Sequence, residues 1–150
     1  MVNRATLRHL LYHLADGWRV RTGWHRTPAR DLLAHETRGH TIERHIGLTP
    51  AQLRIRLQGG TFAASTFWDA HIATASIHFA AVTNFDSLSR WFLLTTHPRL
   101  TLDSLTPCTT SIGWGLLATD RHPRYSKHVT IVFERVAETF YIRTAYPKVV

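Results

Sequence analysis

From Val129 onward the chain alternates apolar and polar side chains, Val129-Thr130-Ile131-Val132-Phe133-Glu134, and a second β-rich run, Thr139 to Tyr146, follows after Ala137-Glu138. Alternation of period two buries one face of a strand and opens the other, and two such runs joined by two residues pair as an antiparallel hairpin. The link lacks the Asn-Gly that favours such turns, so its length alone carries that reading. A further β-rich run, Ile112 to Leu117, lies upstream. The chain is therefore expected to close with an antiparallel sheet whose apolar face the preceding residues must cover.

Those residues read as helices. Residues 4–16 place Leu7, Leu10, Leu11 and Leu14 on one stripe, with Arg4, Arg8, His9 and His13 on other faces, and Gly17 ends the pattern. Trp18 to Thr27 has no clean period and reads as a connecting arm. Thr27-Pro28 has the form of an N-cap with proline in the first turn, starting a helix through Leu32 and Leu33 toward His35-Glu36 that Gly39 should stop. Thr49-Pro50 repeats the signal for a short helix with Leu53 and Leu57 inward and Arg54 and Arg56 on other faces, closed by Gly59-Gly60. Thr61 to Phe67 can pair as a strand, Asp69 can cap a helix over 70–81, and Asn84 can cap another through Leu88, Trp91, Phe92 and Leu94. The polar stretch from His97-Pro98 to Thr110 reads as a loop. Helices first and strands last give an α+β architecture, with N-terminal helices packed on a C-terminal antiparallel β-sheet. At 150 residues one domain is expected, with residues 1–27 as N-terminal helix and arm and 28–147 as its core.

A hydrophobic share of 44% and a charged share of 19% belong to a chain that folds on its own. Its single cysteine, Cys108, allows no intramolecular disulfide. The N-terminus lacks a signal-peptide pattern, and no apolar run approaches the ~20 residues that span a bilayer, so a soluble domain exported by something outside this chain is expected. Eighteen Lys and Arg against ten Asp and Glu give a net charge of +8, and only Lys127 and Lys148 are lysines. The guanidinium fork matches phosphate oxygens and stacks on bases, so the balance favours a nucleic acid or another phosphate partner. Trp68, Trp91 and Trp114 read as core, although one exposed tryptophan can stack a base.

Eleven histidines offer several candidate sites. His35-Glu36 to His40 nearly spells the zinc-protease motif, but five positions turn ~140° on a helix and Gly39 breaks it, so the two imidazoles diverge. His9 and His13 have four-residue spacing but neither an adjacent glutamate nor a third ligand. His40 and His45 lie between glycines, beside helix breaks where side chains can be aimed into a cleft, and ahead of the basic helix that carries Arg54 and Arg56. The ordinary alternative for either is a capping or surface histidine, and for a single arginine a solvated helix face. Ser65-Thr66 is not surrounded by an acylating Gly-x-Ser-x-Gly pattern.

Read in order, Leu33-Ala34-His35-Glu36, Gly39-His40-Thr41-Ile42, His45-Ile46-Gly47, Leu53-x-x-Arg56-Leu57, Ala64-Ser65-Thr66-Phe67 and Thr144-Ala145-Tyr146-Pro147 resemble the motifs of the ribonuclease A-like toxin domains. Those domains stand at the C-termini of bacterial contact-dependent growth inhibition and related polymorphic effectors. The resemblance covers roughly residues 30 to 147. It implies a two-lobed ribonuclease A-like fold without disulfides, a single ribonuclease toxin domain over 1–150, and a site formed between the lobes. It also implies secretion as the C-terminal part of a larger effector, action in the cytoplasm of the target bacterium, and a cognate immunity protein. The family's histidine falls on His45 or His40, its arginine on Arg56, and its threonine and tyrosine on Thr144 and Tyr146. Arg38 stands where the family usually has a glycine and can add a phosphate contact; Arg54, Ser65 and Thr66 complete the substrate-binding candidates.

This constellation suits RNA cleavage. A base must take the 2′-hydroxyl proton and an acid must protonate the leaving 5′-oxygen, and two histidines can do both near neutral pH. Arg56 can stabilise charge on the phosphorus, while Thr144 and Tyr146, two apart on a strand, can hydrogen-bond its oxygens. No metal and no cofactor are expected. The partners expected are RNA, transfer RNA among the candidates, and an acidic immunity protein. The alternative of another class is a non-catalytic arginine-rich RNA-binding module, motivated by the net +8 alone.

Overall fold

The computed structural model describes Glu36 and residues 38–107, 109–137 and 139–150. In chain order the elements are α1 (Thr41–His45), α2 (Pro50–Gln58), β1 (Ala63–Phe67), α3 (Ala70–Thr83), α4 (Phe85–Leu94), β2 (Arg99–Leu105), β3 (Gly113–Leu117), β4 (Arg124–Ser126), β5 (His128–Val136) and β6 (Thr139–Pro147). They build two antiparallel three-stranded sheets, ordered β1-β3-β4 and β2-β5-β6. The α+β class is as expected, with the sheet divided in two. The helices expected over 4–16 and from Pro28, Glu36 apart, lie outside the described residues, as do His9, His13, His35 and Cys108.

The hairpin from β5 to β6 closes with Val136 opposite Thr139, and Ala137 takes φ 49°, the left-handed conformation that Asn or Gly usually supplies in so short a link. The odd residues Val129, Ile131 and Phe133 of β5 are buried together with Phe140, Ile142 and Ala145 of β6. Against them pack Ala73, Ile77 and Ala80 of α3 and Leu88, Trp91 and Phe92 of α4, with Phe92 and Phe133 meeting Phe140 edge-on at 5.1 and 5.8 Å. A second cluster of Leu53, Ala64 and Leu116, flanked by Leu48, Leu57 and Trp114, fixes α2 on the β1-β3 pair.

Local signals set the helix ends. Thr49 and Gln52 form a reciprocal capping box at the start of α2, and Asp69 accepts from Ile72 N at 2.8 Å at the start of α3. Arg135 closes α4 from the sheet, its guanidinium donating to the carbonyls of Trp91, Phe92 and Thr95 while lying over the Trp91 and Phe92 rings.

Three expectations are corrected. The stretch expected as a loop contains β2, because Leu100 and Leu102 alternate with Arg99, Thr101 and Asp103 and face the core beside β5, a period diluted by its polar neighbours. Asn84 does not cap α4 with its side chain; its amide donates instead to the Ala80 carbonyl and to Ser104 Oγ. Trp68 is not core: it is 43% exposed and stacks on Tyr125, with its indole N–H bonded to Ser111. Neither α1 nor the three-residue β4 had a sequence signal long enough to recognise.

Candidate active site

Five residues make α1, too few to hold a helix by propensity alone, so its position comes from outside. Glu36 accepts from Ile42 N at 2.8 Å, satisfying an amide that the helix start leaves open. His40 occupies the N-cap position but makes no side-chain cap bond, so its imidazole is free of that duty. Two bonds lay the start of α1 on β6: His40 N donates to Arg143 O at 2.9 Å, and Ala145 N donates to Thr41 Oγ1 at 3.0 Å. The first needs a bulge. Val132 pairs with Thr144 and Phe133 with Ile142, so Arg143 is the extra residue whose carbonyl is released from the ladder.

His45 ends α1 and is 6% exposed. Its Nδ1 lies 3.1 Å from the Ser65 carbonyl oxygen on β1. A carbonyl can only accept, so Nδ1 carries the proton and Nε2 keeps the free lone pair. Arg56 Nη1 donates to Arg44 O at 2.6 Å and comes within 3.5 Å of His45 Nδ1. Both nitrogens carry protons, so this second approach is not a hydrogen bond; it sets a positive charge beside the ring. The His40 and His45 rings lie 6.2 Å apart between centroids, and the Tyr146 ring lies 5.2 Å from that of His45. Thr144, two residues back on β6, has a buried hydroxyl without a hydrogen-bond partner among the described residues. A buried unpaired hydroxyl costs about 1–3 kcal/mol, which makes it available to an incoming acceptor.

Burial foremost, then Arg56, His40 and Arg44, hold the His45 imidazole down at about 3 against the opposing pull of the Ser65 bond. Burial and then Arg44 and Arg143 lower His40 as well, with Glu36 opposing. Burial and Arg44 also lower Arg56 from its ordinary value. Both imidazoles thus favour their neutral form in a pocket of unbalanced positive charge, the setting that an anion would relieve. Among the described residues no group of three or more His, Cys, Asp or Glu is placed to hold a metal ion, and no helix is long and apolar enough to cross a membrane.

The catalytic candidates His40, His45, Arg56, Thr144 and Tyr146 therefore come from α1, α2 and β6. The other candidates divide. Arg38 is exposed and lies over the Tyr141 ring at 5.9 Å. Arg54 is exposed on α2. Ser65 is buried and contributes its carbonyl; the buried Thr66 hydroxyl accepts from Leu48 N and donates to Phe67 O, holding β1 to the turn after α1. Glu36, Thr41 and Arg143 were not singled out. Glu36 reaches Ile42 across six positions, outside the three-residue spacing of a capping box, and a carbonyl freed by a bulge leaves no mark in a sequence.

Residues 39–147 match the family described as the bacterial CdiA-CT RNAse A domain. The crystal structure of a CdiA-CT/CdiI complex from Y. kristensenii is similar, with a TM-score of 0.67 and 25% identity, over 74% of this chain and 100% of that one. No curated protein matches the sequence.

Proposed function

The chain belongs to the bacterial CdiA-CT RNase A domain family, and from that membership we propose that it cleaves RNA by histidine acid–base transphosphorylation, without a metal, in the cytoplasm of a target bacterium. The toxin is the C-terminal part of a secreted contact-dependent growth inhibition effector. His45 is the base. Its Nδ1 proton is engaged by Ser65, so Nε2 takes the proton of the 2′-hydroxyl as that oxygen attacks phosphorus. His40 is the acid: as the bond from phosphorus to the 5′-oxygen breaks, His40 protonates that oxygen, leaving a 2′,3′-cyclic phosphate and a free 5′-hydroxyl. A bound phosphodiester carries the charge that raises both imidazoles toward the range where His40 holds its proton. Arg56 faces the charge that develops on the phosphorane oxygens, and the Thr144 and Tyr146 hydroxyls donate to them.

The hydrogen bond from His45 to Ser65, with His40 6.2 Å away, carries this reading, because it fixes one tautomer of one imidazole next to a second. Incubation of the purified domain with single-stranded RNA and transfer RNA in EDTA tests it. Fragments ending in 2′,3′-cyclic phosphate are expected; intact RNA, or cleavage only with added divalent metal, would refute it.

The matched structure is a complex with CdiI, and a toxin must be silenced in the cell that makes it. We assign this chain an acidic immunity protein that covers the site, its carboxylates facing Arg56 and its neighbours. Its affinity should fall as salt is added. A basic inhibitor, or one that leaves the site open to RNA, would contradict this assignment.

A further inference from the structure

The open face of the β2-β5-β6 sheet carries a cluster of charge that runs up to the site. Glu134, at the centre, accepts from Arg99 Nε at 2.7 Å, from Arg143 Nη1 at 2.9 Å and from the Tyr141 hydroxyl at 3.0 Å. Arg99 comes from β2, Arg143 and Tyr141 from β6 and the acceptor Glu134 from β5, so the cluster spans the three strands of the sheet, and Arg38 stands over the Tyr141 ring. One carboxylate holds two guanidiniums, so the group keeps a net positive charge. Each guanidinium has five N–H donors and gives one to Glu134, which leaves both able to bind a second oxyanion. Arg99 is 54% exposed and Arg143 36%, so those donors are open to solvent. A cross-strand pair needs one arginine for one carboxylate; the second is surplus to the strand pairing.

Arg143 is also the bulged residue whose carbonyl receives His40 N, so the cluster begins where His40 is fixed. We infer that Arg99 and Arg143, ordered by Glu134, form a second phosphate subsite, which holds the RNA phosphate immediately 3′ of the scissile one. The side follows from the roles proposed above, on which this inference rests: His40 protonates the departing 5′-oxygen, so the nucleotide beyond it, with its own phosphate, lies on the His40 side. Tying the two guanidiniums to Glu134 lowers the entropy lost when they grip a phosphate, at the cost of part of their charge.

The test compares Arg99→Gln and Arg143→Gln with wild type on two substrates, a dinucleoside monophosphate and the same molecule with one further nucleotide on its 3′ side. The quantity read is the ratio of kcat/KM on the longer to that on the shorter. The ratio should fall at least fivefold in each variant. Binding of a non-cleavable 2′-O-methyl oligonucleotide is followed against salt in parallel, and the slope of log K on log salt should drop by about 0.7 for one lost phosphate contact on a single strand. That arm reads the subsite even if wild type cleaves nothing, an outcome that would refute the catalytic proposal instead. An unchanged ratio with an unchanged slope, or variants that bind RNA normally and lose only the immunity protein, would overturn the subsite.

Discussion

Thr41 Oγ1 accepts the Ala145 amide at 3.0 Å, joining positions 104 residues apart in the chain. Thr41 begins the helix that carries His45, and Ala145 lies between Thr144 and Tyr146, so one hydroxyl sets the two halves of the proposed site against each other. Thr41→Val keeps the shape of the side chain and leaves the buried Ala145 N–H unpaired, a loss of about 1–3 kcal/mol. Urea denaturation should show a decrease of that size, with kcat falling as well, and Thr41→Ser should restore both. Wild-type kcat in a destabilised Thr41→Val would separate this bond from site geometry.

Gly115 approaches β1 so closely that a Cβ there would lie 2.6 Å from Ala64 O and 2.8 Å from Ser65 Cβ. Neither neighbour is the free end of a flexible chain, so β1 must shift. Since Ser65 O holds the His45 tautomer, Gly115→Ala is expected to cost about 1–3 kcal/mol of stability and to reduce kcat/KM more than tenfold. Full activity in that variant would show that the Ser65 carbonyl can move without consequence.

How much of this the sequence carried depends on where each signal resides. The β5–β6 hairpin, the Thr49-Pro50 start of α2 and the Asp69 cap are written in neighbouring residues and were legible. His40, His45, Arg56, Thr144 and Tyr146 were picked out through ordered motifs more than through period or charge; the fold sets the rings of His40 and Tyr146 and the Arg56 guanidinium around His45, and their catalytic roles are the proposal above. Strand β2 was hidden because its outward residues are polar and its partner lies about thirty positions away. The bulge at Arg143, the Ser65 carbonyl and the reach of Glu36 to Ile42 depend on tertiary contact alone. Trp68 was misplaced since an aromatic at a strand end has no local mark of exposure.

Folding should report the buried neutral state of His45. Its folded pKa, about 3, lies below the ordinary 6.5, so the unfolded chain takes up a proton first as pH falls. The stabilisation is complete above pH 6.5 and is lost as pH falls from there toward 3; His40, also lowered, contributes in the same direction. Denaturation at pH 6.5 and 4.5 should differ by about 2 kcal/mol from His45, at ~1.4 kcal/mol per pH unit. His45→Ala should flatten that dependence. An equally steep slope in the variant would place the titrating group elsewhere.

The pH dependence of kcat/KM reads the free protein. A base at about 3 is active through the acid range, while an acid lowered below 6.5 loses its proton there, so kcat/KM should begin to fall below pH 6.5 as pH rises. In kcat, with phosphate bound, the same limb should move upward. A kcat/KM that rises continuously to pH 8 would contradict His40 as the proton donor.

The division of roles between the two imidazoles is tested most directly by a uridine 3′-phosphodiester with a nitrophenolate leaving group, compared with a dinucleoside monophosphate. Nitrophenolate departs without protonation, so the acid becomes unnecessary and the base does not. On the dinucleotide, His40→Ala and His45→Ala should each lose about 10²–10⁴-fold in kcat. On the nitrophenyl ester, His40→Ala should return to within about tenfold of wild type while His45→Ala stays down by the full factor. Rescue of His45→Ala in place of His40→Ala, or of neither, would contradict the assignment of base and acid.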